Sequence, residues 1–523
     1  MAQARPSVGT FLLLAFLSSA SLAPAADNAP SSPLPLRDAL SRALEHNFGL
    51  RIARLDPLIA LDELAAERAA WDPHLFIESR YDDSTKRQNS LEFTATGGLN
   101  TNRLFVEETF VARTGVGGAT PFGTQWKAFT EIKELANTIN RQSGTALFSP
   151  EYESFAGIEL TQPLLQGFGA APNLARYRIA ESRLDVERFT RRTTLTNTAV
   201  EVINAYYDLV FGQENLRAKN EAVRLAEQLV SENRRRHDAG RMTPVDVSRA
   251  EVRLGEAREE AILAEDFLRE RRIRLLRLML PAKPDGELPD FAVEPTLPAV
   301  PETLDGPALQ QLALENRPDY LGSKAEADQG THRERLARNR RLPRVDLQAS
   351  FGYGGLERDV DYAYRDLYTH TRPVWGVGVS ASMPLGNREA AAGHRAARRA
   401  AEKAALRVEE LELTVHLDVT NAIGRLSTLR QRLATAEHST RVAEDSLAAE
   451  TRRLEAGSAT TFAVAEMQEK VSAARTRLLA ARIDLVKALS ELHAVTGTLL
   501  QENGFTFGDE IATPARPFWI AAR

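Results

Sequence analysis

The 523-residue sequence contains no cysteine, so disulfides, thiolate metal sites, a cysteine nucleophile and an N-terminal lipidated cysteine are excluded. It also lacks an excess of charge of one sign, because 66 Lys and Arg stand against 71 Asp and Glu. This balance excludes nucleic-acid binding through bulk positive charge, and we expect no nucleic-acid partner. After the N-terminal segment no run of about 18 apolar residues occurs, which excludes a transmembrane helix in the mature chain. Any membrane crossing must therefore use strands.

The first 25 residues have the pattern of a secretory signal peptide. Arg5 precedes an uncharged apolar stretch, and the small residues Ala23-Pro24-Ala25 provide a cleavage site. The apolar core is too short to span a bilayer, which favours a cleaved leader over a membrane anchor or a buried helix. We therefore predict that residues 1–25 are removed and that the protein is exported.

The rest of the chain is a tandem duplication. Asp238-Ala-Gly-Arg241 recurs as Glu455-Ala-Gly-Ser458, and Gln162-Pro-Leu164 recurs as Met383-Pro-Leu385. The pattern predicts a first repeat over 26–300, a second over 301–497 and a tail over 498–523. A proline-rich stretch from Pro281 to Pro307 predicts a surface linker at the boundary.

Each repeat has the same predicted order of elements, namely helix, β segment, long helix and returning helix. In the first repeat these elements cover 36–70, 74–165, 171–237 and 244–280. In the second they cover 307–342, 344–384, 389–454 and 460–495. Apolar residues of the long helices step by three or four, as in a coiled-coil seam, and each rod is about 100 Å long. The two shorter helices together match the long one, which predicts one continuous and one broken column in each repeat.

The β segments show alternating apolar and polar residues, a pattern that fits a soluble sheet and a membrane barrel equally. In the first segment, strand candidates begin near Leu75 and cover about 104–116, 122–133 and 152–163. The export signal and the aromatic residues near the strands favour the membrane. Counting two strands in each repeat gives about four per chain, so that three chains supply about twelve. The greater length of the first segment leaves an extra hairpin or a long extracellular loop open.

Three features of the sequence point to a known family: the opening Leu36-Arg-Asp-Ala-Leu-Ser-Arg-Ala-Leu-Glu-His-Asn47, the phrase Thr161-Gln-Pro-Leu-Leu-Gln-Gly-Phe-Gly169, and both hairpin tips. In these features the chain resembles the TolC-type outer membrane factor family. The resemblance implies an α+β membrane protein in which long α-helical coiled-coil hairpins form a periplasmic tunnel. Its antiparallel strands form part of a trimeric transmembrane β-barrel, with twelve strands in all, in the outer membrane of a Gram-negative bacterium.

The resemblance further implies a passive exit duct of a tripartite efflux pump or a type I secretion system. The implied partners are two more copies of the chain, a periplasmic adaptor protein, an inner-membrane transporter and outer membrane lipid. It implies no enzymatic activity and no cofactor. The cargo, whether drug, metal ion, siderophore or polypeptide, stays open.

The implied docking surface for the adaptor is the pair of hairpin tips. Its residues are Gly240, Arg241, Met242 and Thr243 in the first hairpin and Gly457, Ser458, Ala459 and Thr460 in the second. The two glycines also fit a helix C-cap without any docking role, because a turn between antiparallel helices needs a residue that tolerates positive φ.

The resemblance places a periplasmic gate at Asp246 and Glu466, where three-fold symmetry would form rings of carboxylates. The sequence departs from the family pattern nearby. The gate tyrosine and arginine of the family align with Leu454 and Ala459, and one of its aspartates aligns with Ala463. Alternatively, Asp246 favours the start of a helix and Glu466 lies on a solvated helix face.

Other function classes have less support. The nine histidines are scattered, and no HExxH, GxSxG or P-loop spacing indicates an enzyme. A periplasmic coiled-coil adaptor or a structural scaffold without a pore is the main alternative. An adaptor normally has one helical hairpin, so the second hairpin favours the channel.

Overall fold

The structure is a computed structural model that describes most of the chain. The described residues are 33–97, 102–141, 147–240, 242–281, 289, 291–295, 297–301, 303–370, 372–456 and 458–505. The predicted signal peptide over 1–25 and the tail beyond residue 505 lie outside them. Among the described helices, none is both long and apolar enough to cross a membrane.

The first repeat begins with short helices and ends with a long helical hairpin. Its helices are α1 (Leu36–His46), α2 (Phe48–Ala53), α3 (Leu55–Arg68), α4 (Ser90–Ala95), α5 (Ala170–Asn173), α6 (Ala175–Asp238) and α7 (Pro244–Met279). Where the sequence predicted one helix over 36–70, the structure has three. Asn47 makes the first break, because its backbone (φ −57°, ψ 126°) leaves the helical region and its side chain accepts a hydrogen bond from the Leu50 amide at 3.3 Å.

The second repeat has the same plan. Its helices are α8 (Gly306–Asn316), α9 (Pro318–Asn339), α10 (Val360–Thr369), α11 (Arg388–Glu455) and α12 (Thr461–Val495), and α13 (Leu499–Glu502) follows them. Where the sequence predicted one helix over 307–342, the structure has α8 and α9. The cause is Pro318, which lacks an amide hydrogen and keeps Arg317 out of the helical region (ψ 116°).

Long and short helices pack side by side. The first turns of α6 pack on α3, where Tyr177 and Leu184 are buried with Leu64, and the rest of α6 packs along α7. In the second repeat α11 packs along α12 and α9. The predicted combination of long helical hairpins with an antiparallel sheet is confirmed.

The strands form one antiparallel sheet in chain order. They are β1 (His74–Arg87), β2 (Leu104–Ala119), β3 (Gln125–Asn137), β4 (Glu151–Pro163), β5 (Arg344–Glu357) and β6 (Pro373–Ser382). The expected number of about four strands is wrong, because the first repeat alone contributes four. An extra hairpin therefore accounts for the length of the first β segment. The pairing of β4 with β5 joins the two repeats.

The two faces of the sheet differ sharply in chemistry. Residues that pair across neighbouring strands share a face, so the strand register assigns each side chain to one of the two. On one face, here called the apolar face, the large exposed side chains include Leu75, Ile77, Tyr81, Phe110, Val116, Ile158, Leu160, Phe351, Tyr353, Trp375, Val377 and Val379. The opposite face carries ion pairs such as Lys133 with Glu153, at 2.9 Å. A soluble sheet would not expose so many large apolar side chains on one face.

Charged residues enter the apolar face only at the strand ends remote from the long helices. They are Asp83, Arg87, Glu108, Glu134 and Glu357. Between these ends and the helices, each strand presents only apolar, small or uncharged polar side chains on this face. The result is an uncharged band bounded on one side by charges, as expected of a surface in contact with lipid.

The central core lies where α1, α6, α7 and α12 meet the linker. Tyr206 in α6 donates a hydrogen bond from its hydroxyl to the Leu34 carbonyl at 2.9 Å and accepts one from the Glu294 amide at 3.1 Å. Burial raises the pKa of Tyr206 to about 12. Val293 of the linker and Leu499 of α13 are buried in the same core. The linker is thus tied to the middle of α6 by specific hydrogen bonds.

Replacing Tyr206 with phenylalanine tests this attachment. We expect Tyr206→Phe to lower the free energy of unfolding by about 1 kcal/mol, because the Leu34 carbonyl and the Glu294 amide each lose one hydrogen bond and keep only the one between them, at 3.2 Å. Thermal unfolding in detergent, followed by circular dichroism, measures the effect. The matched control is Tyr207→Phe, which removes a hydroxyl from the neighbouring buried ring and leaves these hydrogen bonds in place. Equal melting temperatures for the two variants would contradict the prediction.

Candidate functional site

The tip of the first hairpin is a tight, exposed turn. Here α6 ends because Gly240 takes a left-handed conformation (φ +68°) and its amide donates to the His237 carbonyl at 2.8 Å. A Cβ atom placed on Gly240 would meet no atom within 4 Å. The glycine is therefore required by the backbone and not by crowding inside the chain. The next tip residue, Arg241, lies outside the described residues.

The start of α7 is held by Thr243 and Asp246. The Thr243 hydroxyl donates to Asp246 Oδ2 at 2.6 Å, and the Thr243 amide donates to the same oxygen at 3.3 Å. These two hydrogen bonds lower the pKa of Asp246. Pro244 occupies the first turn, where its missing amide hydrogen costs nothing. Asp246 therefore caps the helix, and its predicted role in a gate stays a prediction.

The cap has a pH-dependent consequence. The unfolded chain protonates this carboxyl near its ordinary pKa of 3.8, whereas the folded chain does so at lower pH. The ionised cap therefore stabilises the folded state above pH 3.8. This stabilisation is lost as the pH falls through the lower pKa of the folded state.

We expect Asp246→Ala to speed hydrogen exchange in the first turns of α7 several-fold at pH 7, because the cap is lost. The difference from the wild type should shrink as the pH falls below the folded pKa. Asp238→Ala, at the exposed end of α6 on the same tip, is the control. Unchanged exchange in α7 at pH 7 would argue against the cap.

The tip of the second hairpin has a different set of contacts. The Ser458 amide donates to the Arg453 carbonyl at 2.8 Å and closes α11, while Thr460 accepts from the Ala463 amide at 3.2 Å and opens α12. Gly457 lies outside the described residues. Ser458 and Thr460 are exposed, and Ala459 is half-buried. Both tips thus present short polar turns at the ends of the hairpins.

Glu466, the second predicted gate residue, lies on the first turns of α12. Lys470 one turn later donates to its carboxylate at 2.8 Å, and this hydrogen bond lowers the pKa of Glu466. The structure of the single chain therefore gives both predicted gate residues a partner within their own hairpin.

A contact between the hairpins lies beside Glu466, and the sequence analysis did not predict it. The guanidinium of Arg253 in α7 lies 4.9 Å from the ring centre of Phe462 in α12, and its Nη2 lies 3.6 Å from Glu469 Oε2. We call Arg253, Phe462 and Glu469 the inter-hairpin link. Phe462, an aromatic residue just after the tip, was the one available signal, whereas Arg253 is one of many arginines in α7.

The chain is similar to a known protein family and to characterised proteins. The family model described as "Outer membrane efflux protein" matches residues 131–279 and 309–498, more than half of the chain. The cobalt-zinc-cadmium resistance protein CzcC of Cupriavidus metallidurans is 26% identical over 325 residues, covering 62% of this chain and 73% of that protein. The pyoverdine export outer membrane protein OpmQ of Pseudomonas aeruginosa is 24% identical over 333 residues, covering 62% and 66%.

Solved structures share the fold. The outer-membrane channel OprN superposes with a TM-score of 0.63 at 16% identity, covering 88% of this chain and 90% of that chain. The CmeC outer membrane channel of Campylobacter jejuni gives a TM-score of 0.58 at 14% identity, with coverages of 89% and 86%. At these identities the likeness concerns the fold alone.

Proposed function

Because this chain belongs to the outer membrane efflux protein family, we propose that three copies of it form one continuous duct from the periplasm to the cell exterior. The family makes it an outer membrane exit channel with a large periplasmic part, and not an enzyme. This identity is incompatible with a periplasmic adaptor or a scaffold without a pore.

The two-faced sheet is the observation that carries the proposal. Its apolar face suits lipid and its charged face suits a water-filled lumen. Among the residues that the structure describes, β1 pairs only with β2 and β6 pairs only with β5, so both edges of the sheet are open there. If β6 of one copy pairs with β1 of the next, three copies close a barrel of 18 strands in place of the twelve expected from the sequence.

The hairpins formed by α6 with α7 and by α11 with α12 continue the duct into the periplasm. Transport through it is passive, because nothing in a helical tunnel supplies energy. In the proposal an inner-membrane transporter drives the cargo, and a periplasmic adaptor docks on the tips through Gly240–Thr243 and Gly457–Thr460. Asp246 and Glu466, next to the inter-hairpin link, lie at the periplasmic entrance.

The relatives do not select one cargo. One is named for resistance to cobalt, zinc and cadmium, and the other for pyoverdine export. Among the described residues, no group of three or more His, Asp or Glu side chains is arranged to hold a metal ion. The proposal therefore assigns a duct and no particular cargo.

The absence of cysteine makes a decisive test available. Within one chain β1 and β6 are opposite edges of the sheet, about 24 Å apart at the usual strand spacing. A short maleimide crosslinker between Ser79→Cys and Ala381→Cys should therefore join neighbouring copies and produce dimer and trimer bands. The same purified protein should form discrete channels in a planar bilayer.

The controls are the two single-cysteine variants, which should give no trimer band. A monomer by light scattering in detergent, or a crosslinked trimer without conductance, would overturn the proposed duct.

A further inference from the structure

Helix α10 lies on the apolar face of the sheet, outside the proposed lumen. Ser154 donates a hydrogen bond to the Ala363 carbonyl at 2.7 Å, and the hydroxyls of Thr130 and Tyr364 are 3.3 Å apart. A Cβ atom on Gly355 would come within 2.6 Å of the Ala363 carbonyl. By register, Thr130, Ser154 and Gly355 all belong to the apolar face. Because Gly355 has no side chain, α10 can pack directly on the face of the sheet that the proposed function assigns to lipid.

The helix is fixed firmly in this position. Three of its own residues, Ala363, Asp366 and Leu367, are buried. The Asp366 carboxylate accepts a hydrogen bond from the Leu356 amide at 3.3 Å and pairs with Arg372 and with His370. These contacts tie α10 to the ends of β5 and β6, so its exposed residues keep a defined orientation.

The two exposed flanks of α10 differ. Val360, Tyr364 and Tyr368 are four residues apart and share one flank, on which Tyr368 is 84% exposed. Tyr364 on this flank contacts Thr130 in β3. Thr130 lies two residues closer to the long helices than Ile132, which is the β3 partner of Ser154. The aromatic flank is therefore turned towards the middle of the uncharged band.

The other flank carries two arginines, Arg365 in α10 and Arg358 just before the helix, where Arg358 lies 3.8 Å from Asp359 Oδ2. The guanidinium groups of Arg358 and Arg365 lie 4.9 Å and 5.7 Å from the ring centre of Tyr362. An aromatic flank facing the apolar band and a basic flank facing away from it form the pattern of a helix that lies in a membrane interface.

We propose that α10 is an interfacial helix seated in the headgroup region of the outer leaflet. Val360 and Tyr368 contact the acyl-chain boundary, and Arg358 and Arg365 bind phosphate groups of the lipid headgroups. The proposal rests on the proposed function, because it takes the apolar face as the lipid-facing one. In this position α10 fixes the height of the channel in the membrane.

The test uses nitroxide labels on single cysteines in the full chain. Tyr368→Cys probes α10, Val377→Cys on β6 is the lipid standard, and Glu256→Cys on α7 is the water standard. The protein is reconstituted in vesicles of phosphatidylethanolamine and phosphatidylglycerol, and collisions with oxygen and with a water-soluble nickel chelate are measured. We expect the label at 368 to be protected from nickel and accessible to oxygen, close to the label at 377.

The outcomes separate the two proposals. A label at 368 that is as accessible to nickel as the label at 256, with 377 still protected, would overturn the interfacial helix alone. Water access at both 368 and 377 would overturn the lipid-facing assignment of the sheet, and the helix proposal with it. Protection of 368 that appears only after an extracellular protein is added would replace lipid by a protein partner and overturn the proposal.

A second arm tests the arginines. In pure phosphatidylcholine vesicles the label at 368 should become more accessible to nickel than in vesicles with anionic phosphatidylglycerol, because the basic flank loses electrostatic attraction. Arg358→Gln with Arg365→Gln should abolish this lipid dependence, whereas Arg398→Gln with Arg399→Gln, exposed on α11, should not. A lipid dependence that survives the first pair would overturn the arginine contact with headgroups.

Discussion

Replacing Gly240 with asparagine is expected to reduce export about tenfold or more in cells, while the channel still assembles and conducts. Asparagine tolerates the left-handed conformation that Gly240 adopts (φ +68°), so α6 still ends at the same place. A Cβ atom at position 240 would meet no atom of the described residues within 4 Å, apart from its chain neighbours. The side chain does occupy the space at the tip in which the proposed adaptor would dock.

This substitution separates the two roles left open for the tip glycine. If Gly240 is only a helix stop, Gly240→Asn exports normally, and that outcome would contradict docking at this tip. The matched control is Gly255→Asn in the interior of α7, where the surroundings of the glycine are equally open. Loss of export is measured by cargo efflux, and bilayer conductance of the same variant verifies that the duct is intact.

Removing the Arg253 side chain is expected to favour the open state of the channel. The contacts of Arg253 with Phe462 and Glu469 hold α7 to α12 next to the tips. One cation–π contact and one exposed ion pair together contribute about 1 kcal/mol in each subunit. Three subunits lose about 3 kcal/mol in Arg253→Ala, which shifts an open–closed equilibrium roughly a hundredfold.

Single-channel recording measures this shift as a higher open probability or a larger mean conductance. Arg258→Ala is the control, because Arg258 pairs with Glu227 inside the first hairpin, at 2.8 Å, and not between hairpins. Identical recordings for Arg253→Ala and the wild type would contradict a role of the inter-hairpin link in a gate. A rise with Asp246→Ala but not with Arg253→Ala would place the gate at the carboxylates instead.

Much of the helical architecture was predictable because helix ends leave strong local signals. The Ala-Gly pairs before Arg241 and Ser458 mark where the long helices stop, and the apolar steps of three and four mark their length. Pro318 carries an equally strong signal, yet the continuous helix predicted over 307–342 passed over it. Proline disfavours the helical conformation of the residue before it, and the structure accordingly breaks the helix at Arg317.

The strand count shows a different failure. The alternation at 104–116 and 152–163 lies within β2 and β4, and that at 122–133 overlaps β3 from Gln125 onwards, so the residues themselves indicated the extra hairpin. The count of two strands in each repeat came from assuming that the two repeats are equal. The inter-hairpin link was beyond sequence reasoning, since Arg253 and Glu469 are far apart in the chain and no periodicity relates them.

The extra hairpin also bears on where the duct resists flow. Barrel diameter grows roughly in proportion to strand number, so 18 strands give an opening about one and a half times as wide as twelve. The number of helical columns does not rise with the added strands, because the hairpin inserts between α3 and α5 without adding a long helix. In the proposed duct the barrel and the helical tunnel act as two resistors in series, so a wider barrel lowers only its own share of the total resistance. In that arrangement the throughput depends more on the helical section than it would with twelve strands.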